Sequence, residues 1–500
     1  MTDLVLIYPP WAVLEKRAIL QNSLPPLGIL SIAAYAESHG YKVRVIDIHA
    51  ERLSDQELRV RLAELKPRCV GISVLTNMVV PAHYIARICK AMFPNCTVVV
   101  GGVHAEAMPE QMLRNSAIDI VVRGDGEEPM LEIIQGKGRS EIKGVSYRDG
   151  STVIHTPTRP LQMDLDKLPF PAYHMVDFAR YFPAVATYRN LPATNMLMTL
   201  GCPGACTFCN SAFTTLRSRS ASSVVEQIKV LRYQYGIRQI QFYDDTFTVA
   251  KRTVLEFCKR MVEDRVDVTW TAYIRGDCFN EEMALAMKQA GCHQVLIGIE
   301  TGDDQVMRNI RKPIDKKRYK QTIEIAHKHG LEVRASFIIG NIGETMETMR
   351  STLQFAKELD VDLMQLNIST PYPGTQLFNY AVENGLLKHR NWSEYGQGKV
   401  IVQLPTLTEQ EIYDFERLAF RSFYLNPRMV LRQLRRIVNL RQLRDLVAAF
   451  VMLILGAILY KDPKWECWKS WQEQDFQDLD ISLPDTQRLT FELRQTSAFK

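Results

Sequence analysis

Short apolar runs alternate with helical stretches twice along this chain, and no other feature limits its fold as strongly. In residues 1–134 the strand-like LVLIYPP, YKVRVIDIHA, CVGISVLT, CTVVVGG and DIVVRG are separated by the helix-like LGILSIAAYAESHG, SDQELRVRLAELKP and PAHYIARICKAMF. Strands joined through helices lie parallel, so the pattern predicts a doubly wound, Rossmann-like α/β sheet over residues 1–140. Ligands of such sheets bind at the carboxyl ends of the strands. Those ends carry Pro9 and Pro10, Asp47 to Ala50, Ser73 to Asn77, Gly101 to His104, and Gly124 to Glu127. A small hairpin about Asp149-Gly150 and the proline-bearing LDKLPFPAYHM then read as a linker over 141–190. From 191 to 400 six more strand-like runs, from NMLMTLGC to LMQLNISTPYPGT, alternate with helices. Six units rather than eight predict a partial, open (β/α)6 barrel. Residues 401–500 read as a helical, basic region.

Composition narrows the function classes. Hydrophobic content of 46% and charged content of 23% are those of a folded globular chain. With 61 basic against 56 acidic residues, no global charge excess points to nucleic acid. The start, MTDLVLIYPP, has no basic stretch before its apolar run, so a secretory signal is not expected and the expected location is cytoplasmic. Ten cysteines are scattered except for one tight group, which argues for reduced thiols rather than a disulfide framework.

That group is Cys202, Cys206 and Cys209, spaced C-x3-C-x2-C in the loop after a predicted strand, with Gly201 and Gly204 lending backbone freedom. Three thiolates on a four-iron cube leave one iron open for substrate. Zinc and incidental cysteines are the competing readings, but a structural zinc site wants a fourth Cys or His, and none lies within twenty residues of the triplet. The run Cys202-Pro-Gly-Ala-Cys206-Thr-Phe-Cys209 resembles the signature of the radical S-adenosylmethionine superfamily, with Phe208 at its usual aromatic position. The resemblance implies a [4Fe-4S] cluster on the three cysteines and S-adenosylmethionine chelated to the open iron. It also implies reductive cleavage to a 5′-deoxyadenosyl radical, with a reducing partner such as flavodoxin or ferredoxin. Further matches follow in the family's order. QFYDDTF resembles the second-strand segment, which implies that Asp244 and Asp245 act near the substrate or the methionyl amine. Gly298-Ile299-Glu300 resembles the ribose-side motif of the fourth strand. Phe337 to Gly340, ending in Gly343-Glu344, resembles the fifth-strand glycine motif beside the adenine. Glu300, Gly340 and Glu344 are thereby implied as cofactor contacts, although Asn341-Ile342 stands where the family has Leu-Pro. Taken singly, the aspartates could cap a helix and Glu300 could be a solvated strand end.

The N-terminal unit resembles the cobalamin-binding domain of cobalamin-dependent radical S-adenosylmethionine enzymes, in which SVLTNM and VVVGGVHA correspond to corrinoid-facing loops. Gly101 and Gly102 would then admit a large flat ligand, and Ser73 and Thr76 would bond corrin amides or the nucleotide tail. A domain that binds nothing is the competing reading. Asp47-Ile48-His49 resembles the start of the Asp-x-His-x-x-Gly motif that supplies a cobalt ligand, but Arg52 occupies the glycine position. His49 is therefore expected as a surface or hydrogen-bonding residue and His104 as a packed loop residue. Methylthiotransferases pair a similar unit with this core, but they need a second cysteine triplet, which Cys69, Cys89 and Cys96 do not form.

Between Arg421 and Arg444 stand seven arginines with no lysine and no acid. Arg428, Arg432, Arg435 and Arg436 interleave with Val430, Leu434 and Ile437 at helical spacing, and Leu446 to Tyr460 is an uncharged run of fifteen residues, too short to span a bilayer. The segment suits either peripheral membrane contact or a cap over the barrel mouth. Nucleic acid is not expected, because aromatic residues do not interleave these arginines. The family resemblance implies methylation of an unactivated carbon of a small or lipid-like substrate. A radical cyclase or hydratase acting on a tetrapyrrole is the alternative, and a non-catalytic corrinoid or redox sensor is the alternative of another class.

Overall fold

The structure, a computed structural model, describes residues 1–11, 23–312, 314–388, 391–396 and 398–437, with 443–444, 446–448 and 451 beyond them. The apolar runs of the first unit form β1 (Thr2–Tyr8), β2 (Val43–Asp47), β3 (Pro67–Ser73), β4 (Thr97–Gly101) and β5 (Ile120–Val122), parallel in the order β2-β1-β3-β4-β5. Alternate residues of β1 feed two cores. Leu4 and Leu6 pack with Leu30, Ala33 and Ile134 on one side, and Val5 and Ile7 pack with Leu58, Leu62 and Ile85 on the other. With both faces covered, the strand reads as an unbroken apolar run rather than an alternation.

The hairpin expected in the linker belongs to this sheet instead. β6 (Val145–Asp149) pairs antiparallel with β5, and β7 (Thr152–His155) pairs with β6, so the sheet has seven strands. An antiparallel hairpin covers the edge that β5 would otherwise leave open, and it needs no crossover helix to do so.

The second unit begins with β8 (Ala193–Met196). β9 (Thr199–Leu200) and β10 (Arg217–Ser218) follow as a two-residue antiparallel clasp around the cysteine loop. β11 (Gln239–Phe242), β12 (Thr269–Ile274), β13 (Cys292–Glu300), β14 (Glu332–Ile339) and β15 (Leu363–Ile368) then complete a parallel sheet with β8 and β15 at its edges. The partial six-stranded barrel is borne out. Burial alternates along β12 and β14: Ala272, Ile274, Ala335, Phe337 and Ile339 enter the core, and half-buried Thr271, Tyr273, Arg334 and Ser336 take the opposite, interior face.

The two units share cores and polar ties. Arg217, almost wholly buried, donates to Asp125 (Nη2 to Oδ1, 3.1 Å) and to the carbonyl of Gln162, and Asn195 Nδ2 donates to the carbonyl of Pro25. The chain after the barrel returns to the first sheet, where Trp392 and Tyr395 are buried in the second of its cores.

The helix Pro427–Arg435 seals the end of the barrel where the strands begin. Arg432 donates to the Asp360 carboxylate at 2.9 and 3.0 Å, and Arg436 donates to Glu332 at 2.6 Å and to the carbonyl of Ala186 at 3.0 Å. The reading of this stretch as a cap over the mouth is thereby corrected: the helix closes the opposite end, and Arg432 and Arg436 face protein groups there. All but a few residues of the run Leu446 to Tyr460 lie outside the described residues, as does the tryptophan-rich stretch that follows. Among the described residues no helix is long and apolar enough to cross a membrane.

Burial pushes the Glu332 carboxyl up, but Arg436 and Arg189 outweigh burial and hold it at about 2. A folded pKa below the unfolded one means that this stabilisation is complete above the usual glutamate range and is lost as pH falls towards 2. Arg436→Gln should cost about 2 kcal/mol at neutral pH, the low side for breaking a buried pair because Arg189 remains. It should also flatten the acid limb of stability. Replacing exposed Arg435 with glutamine should change stability by no more than about 0.5 kcal/mol in denaturant titrations.

Candidate active site between the two sheets

The cysteine loop is built from its base upward. β8 ends at Met196, and the backbone amides of Met198 and Thr199, with the Thr199 hydroxyl, converge on Asp244 at the end of β11. Asp244 is 2% exposed, and burial pushes its carboxyl up to about 7 against those hydrogen bonds. Next to it, exposed Asp245 accepts from the Gly201 amide (3.1 Å) and the Ser211 hydroxyl (2.7 Å), tying both ends of the loop. Gly201 has φ +89°, and a Cβ there would sit 2.3 Å from the Thr215 carbonyl, so glycine is required at the loop's entry.

Within the loop, Cys202, Cys206, Phe208 and Cys209 are all half-buried. The Gly204 amide donates to Cys202 Sγ (3.3 Å), the Cys209 amide to the Cys206 carbonyl (3.2 Å), and the Thr214 amide to the Cys202 carbonyl (3.0 Å). Burial pushes the Cys206 and Cys209 thiols up, with Lys312 opposing this at Cys206. Among the described residues no group of three His, Cys, Asp or Glu side chains is arranged around a single metal ion. A cube makes no such demand, since each of its thiolates binds a different iron. Three partly exposed thiols on one closed loop fit that group.

Across the barrel mouth, Glu300 ends β13 in the left-handed region with φ +71°, and its Oε1 accepts from Lys312 at 2.9 Å. Burial works against the Lys312 charge, but the Glu300 carboxylate outweighs it and keeps the amine protonated. A Cβ on Gly298 would stand 2.3 Å from that Glu300 oxygen, which explains the glycine of the motif. Farther round, the turn after β14 is closed by Glu344, which accepts from the Asn341 amide at 2.8 Å and donates its own amide to the Asn341 carbonyl at 3.0 Å. Asn341 Nδ2 donates to the Ile338 carbonyl at 3.0 Å, so Asn341-Ile342 forms a closed turn after Gly340 where the family pattern has Leu-Pro. Burial pushes Glu344 up to about 7, and its Oε1 is buried without a hydrogen-bond partner.

A cavity of about 320 Å³ opens where the carboxyl ends of the first sheet meet β8 and β9. Ser73, Gly101, Gly102, Gly124 and Gly126 line it from the first sheet, and Met198 and Leu200 from the second. Thr76 is not among the lining residues. It is buried in the turn beyond β3, with its hydroxyl 3.3 Å from His104 Nδ1. His104 Nε2 lies 3.3 Å from Gln111 Oε1, and its ring meets Trp392 edge-on at 4.9 Å, so His104 is the packed loop residue expected. His49 stacks on Trp11 at 4.5 Å beyond β2, Asp47 caps the short helix Ile48–Glu51, and Arg52, at the motif's glycine position, takes the left-handed conformation.

With this geometry in view, the matches to known proteins are specific. The Radical SAM superfamily model matches residues 196–356 and the B12 binding domain model matches residues 17–134. An uncharacterized methyltransferase of Pyrococcus horikoshii is 35% identical over 440 residues, covering 86% of this chain and 94% of the relative. The chain belongs to the cobalamin-dependent radical SAM family. The anaerobic magnesium-protoporphyrin IX monomethyl ester cyclase of Rubrivivax gelatinosus is 26% identical and covers 82% of this chain and 75% of its own length. The fold is also that of the radical S-adenosylmethionine methyltransferase TsrM from Kitasatospora setae, solved with cobalamin and a [4Fe-4S] cluster bound. That match has a TM-score of 0.62 at 20% identity, covering 77% of this chain and 75% of that one.

In this cobalamin-dependent radical SAM enzyme two cations flank the cysteines that sequence reading did not single out. Lys312 faces Cys206, and Arg275, paired with Asp277 at 2.7 Å, lies against the turn at Gly204 beside Cys202. Arg275 directly follows the third barrel strand, which was legible, whereas nothing in the twelve-residue spacing marks Lys312 as the partner of Glu300. The Glu300–Lys312 pair is nearly sealed from solvent, so Lys312→Ala should cost about 3 kcal/mol. A double-mutant cycle with Glu300→Gln should recover most of that as coupling, read from denaturation midpoints.

Proposed function

We propose that this chain methylates an unactivated carbon of a small molecule, with the cysteine loop holding a [4Fe-4S] cluster and the glycine-lined cavity receiving part of a cobalamin. The observation that carries this reading is the shared wall: Met198 and Leu200, which border the cavity, lead directly into Gly201 and Cys202. A methyl carrier and a radical source would then face one substrate from neighbouring positions. Bound there, the cluster and the corrinoid would supply one-electron cleavage of S-adenosylmethionine and a transferable methyl group.

The chain's residues divide the remaining work. Cys202, Cys206 and Cys209 hold the cluster, and Phe208 shields it. Glu300, anchored through one oxygen by Lys312, offers the other to the ribose. The Gly340 turn held by Glu344 sits by the adenine. Asp245 fixes the loop's entry, and Asp244 acts through the backbone it anchors as a positioning residue. Ser73, Gly101 and Gly102 receive the cobalamin. A cavity of about 320 Å³ is smaller than a whole corrinoid, so these residues would hold part of it. His49, engaged with Trp11, is not the cobalt ligand in this reading.

The barrel interior bears on the substrate. Tyr243 and Tyr273 lie 5.1 Å apart at the mouth, and Asn367 Nδ2 donates to Ser336 Oγ at 3.2 Å within. Aromatic faces with hydroxyl and amide groups favour a planar, polar-edged molecule over a lipid.

Anaerobic reconstitution with S-adenosylmethionine, reductant and hydroxocobalamin should yield 5′-deoxyadenosine, S-adenosylhomocysteine and, from cell extracts, a product heavier by one methyl group. Loss of hydrogen without methyl gain would select the cyclase chemistry instead. Wild type should hold about four irons per chain, and Cys202→Ala, Cys206→Ala or Cys209→Ala should each abolish the cluster. Alanine at Cys69, Cys258 or Cys278 should not. Gly101→Leu has room for its Cβ, 3.6 Å from Val122, but the longer side chain enters the cavity. It should remove cobalamin absorbance while leaving iron unchanged, and loss of both would count against separate sites.

A further inference from the structure

Residues 308–320 carry seven basic side chains and one acid. This stretch abuts the cysteine loop, since the Thr207 amide donates to the Ile310 carbonyl at 3.2 Å and Lys312 faces Cys206. Arg308, Arg311, Lys317 and Lys320 are exposed. The helix that follows, Lys316–Lys328, forms an open depression of about 720 Å³ with the helix Met346–Glu358. Lys316, Lys317, Lys320 and Arg350 line it with Glu347 and Glu358, four cations to two acids, above a floor that includes the buried ring of Phe355. Some of the charge is spent locally: Lys316 pairs with Asp304 at 3.2 Å and Lys320 with Glu358 at 3.4 Å. Among the described residues Arg311, Lys317 and Arg350 have no acidic partner. Nothing in the site described above uses these three.

Cleavage of S-adenosylmethionine consumes one electron per event, and that electron must enter from outside the chain. We propose that the surface carrying Arg311, Lys317 and Arg350 is the docking face for a small acidic one-electron carrier protein of the flavodoxin type. The inference rests on the cluster reading above. In the encounter the carrier is oxidised by one electron and the cluster reduced by one, with no bond made and no proton moved. Charge complementarity supplies the recognition: cations without acidic partners on an exposed surface adjoining the cluster loop draw an acidic surface to it and orient it.

The test uses the full reconstituted chain and a bacterial flavodoxin as the probe, comparing wild type with the triple variant Arg311→Gln, Lys317→Gln, Arg350→Gln. Lys259→Gln with Arg260→Gln, at the far end of the helix Lys251–Glu263, is the control. Fluorescence anisotropy should show flavodoxin binding to wild type and control that weakens as salt rises through 0.1 M, where screening acts over about 10 Å. The triple variant should bind about tenfold more weakly at low salt, with a shallower salt dependence. Flavodoxin-driven 5′-deoxyadenosine formation should fall in step while dithionite-driven formation stays at the wild-type rate. Equal flavodoxin affinity in wild type and triple variant, or binding indifferent to salt, would overturn the docking face. Absence of dithionite-driven cleavage in wild type would instead overturn the cluster reading, and the anisotropy comparison would still decide the docking face.

Discussion

Everything at this site hangs on one buried carboxylate. Asp244 gathers the amides of Met198 and Thr199 and the Thr199 hydroxyl, and so fixes the few residues through which the chain passes from the barrel's first strand into the cysteine loop. Those residues also form the second unit's wall of the cavity. A displacement there would move the thiol triplet and the cavity floor together. Burial sets the Asp244 carboxyl near 7, so its ionised form is held at a cost that the three donors only partly offset. A folded pKa above the unfolded value means that this group favours the fold most at low pH and contributes less as pH rises through 7. Arg217 extends the arrangement outward, since it sits in the clasp at the loop's base and reaches across to Asp125 in the loop after β5.

The architecture was readable because each parallel strand is covered on both faces and so appears as an apolar run between amphipathic helices. The hairpin at 145–155 was readable as a hairpin, but not as part of the first sheet. Its allegiance depends on which strand edge is left open, a property of the assembled sheet rather than of the segment. The place of the helix carrying the arginines of 428–436 was hidden for a related reason. Their helical spacing is real, yet whether a cation faces water or a carboxylate depends on Asp360 and Glu332, some 70 and 100 residues earlier.

Within the site, motif spacing located the cysteines, Glu300 and the Gly340 turn, but could not apportion roles between neighbours. Asp244 and Asp245 are adjacent and chemically identical. One is sealed against backbone amides and the other stands at the loop's exposed entry, because successive residues leaving a strand point to opposite sides. Ser73 and Thr76 divide in the same way. Ser73 is the last residue of its strand and borders the cavity, and Thr76 lies one turn farther on, where its hydroxyl meets His104.

Glu300 shows how far such a site departs from the local preferences of its sequence. A glutamate in the left-handed region is unfavourable by roughly 1–3 kcal/mol, and a buried ion pair adds a desolvation cost of its own. Neither would persist unless the surroundings enforced them. Gly298 leaves the space into which the side chain folds back, Tyr319 donates to the Gly298 carbonyl at 3.1 Å, and Lys312 donates to the folded-back carboxylate oxygen at 2.9 Å. The register between β13 and β14 shifts between Gly298 and Glu300, so the strand itself is bent to present this residue. A solvated strand end would need none of this apparatus. The concentration of strain, charge and irregular pairing on one residue at the mouth is the physical support for the ligand contact proposed at Glu300.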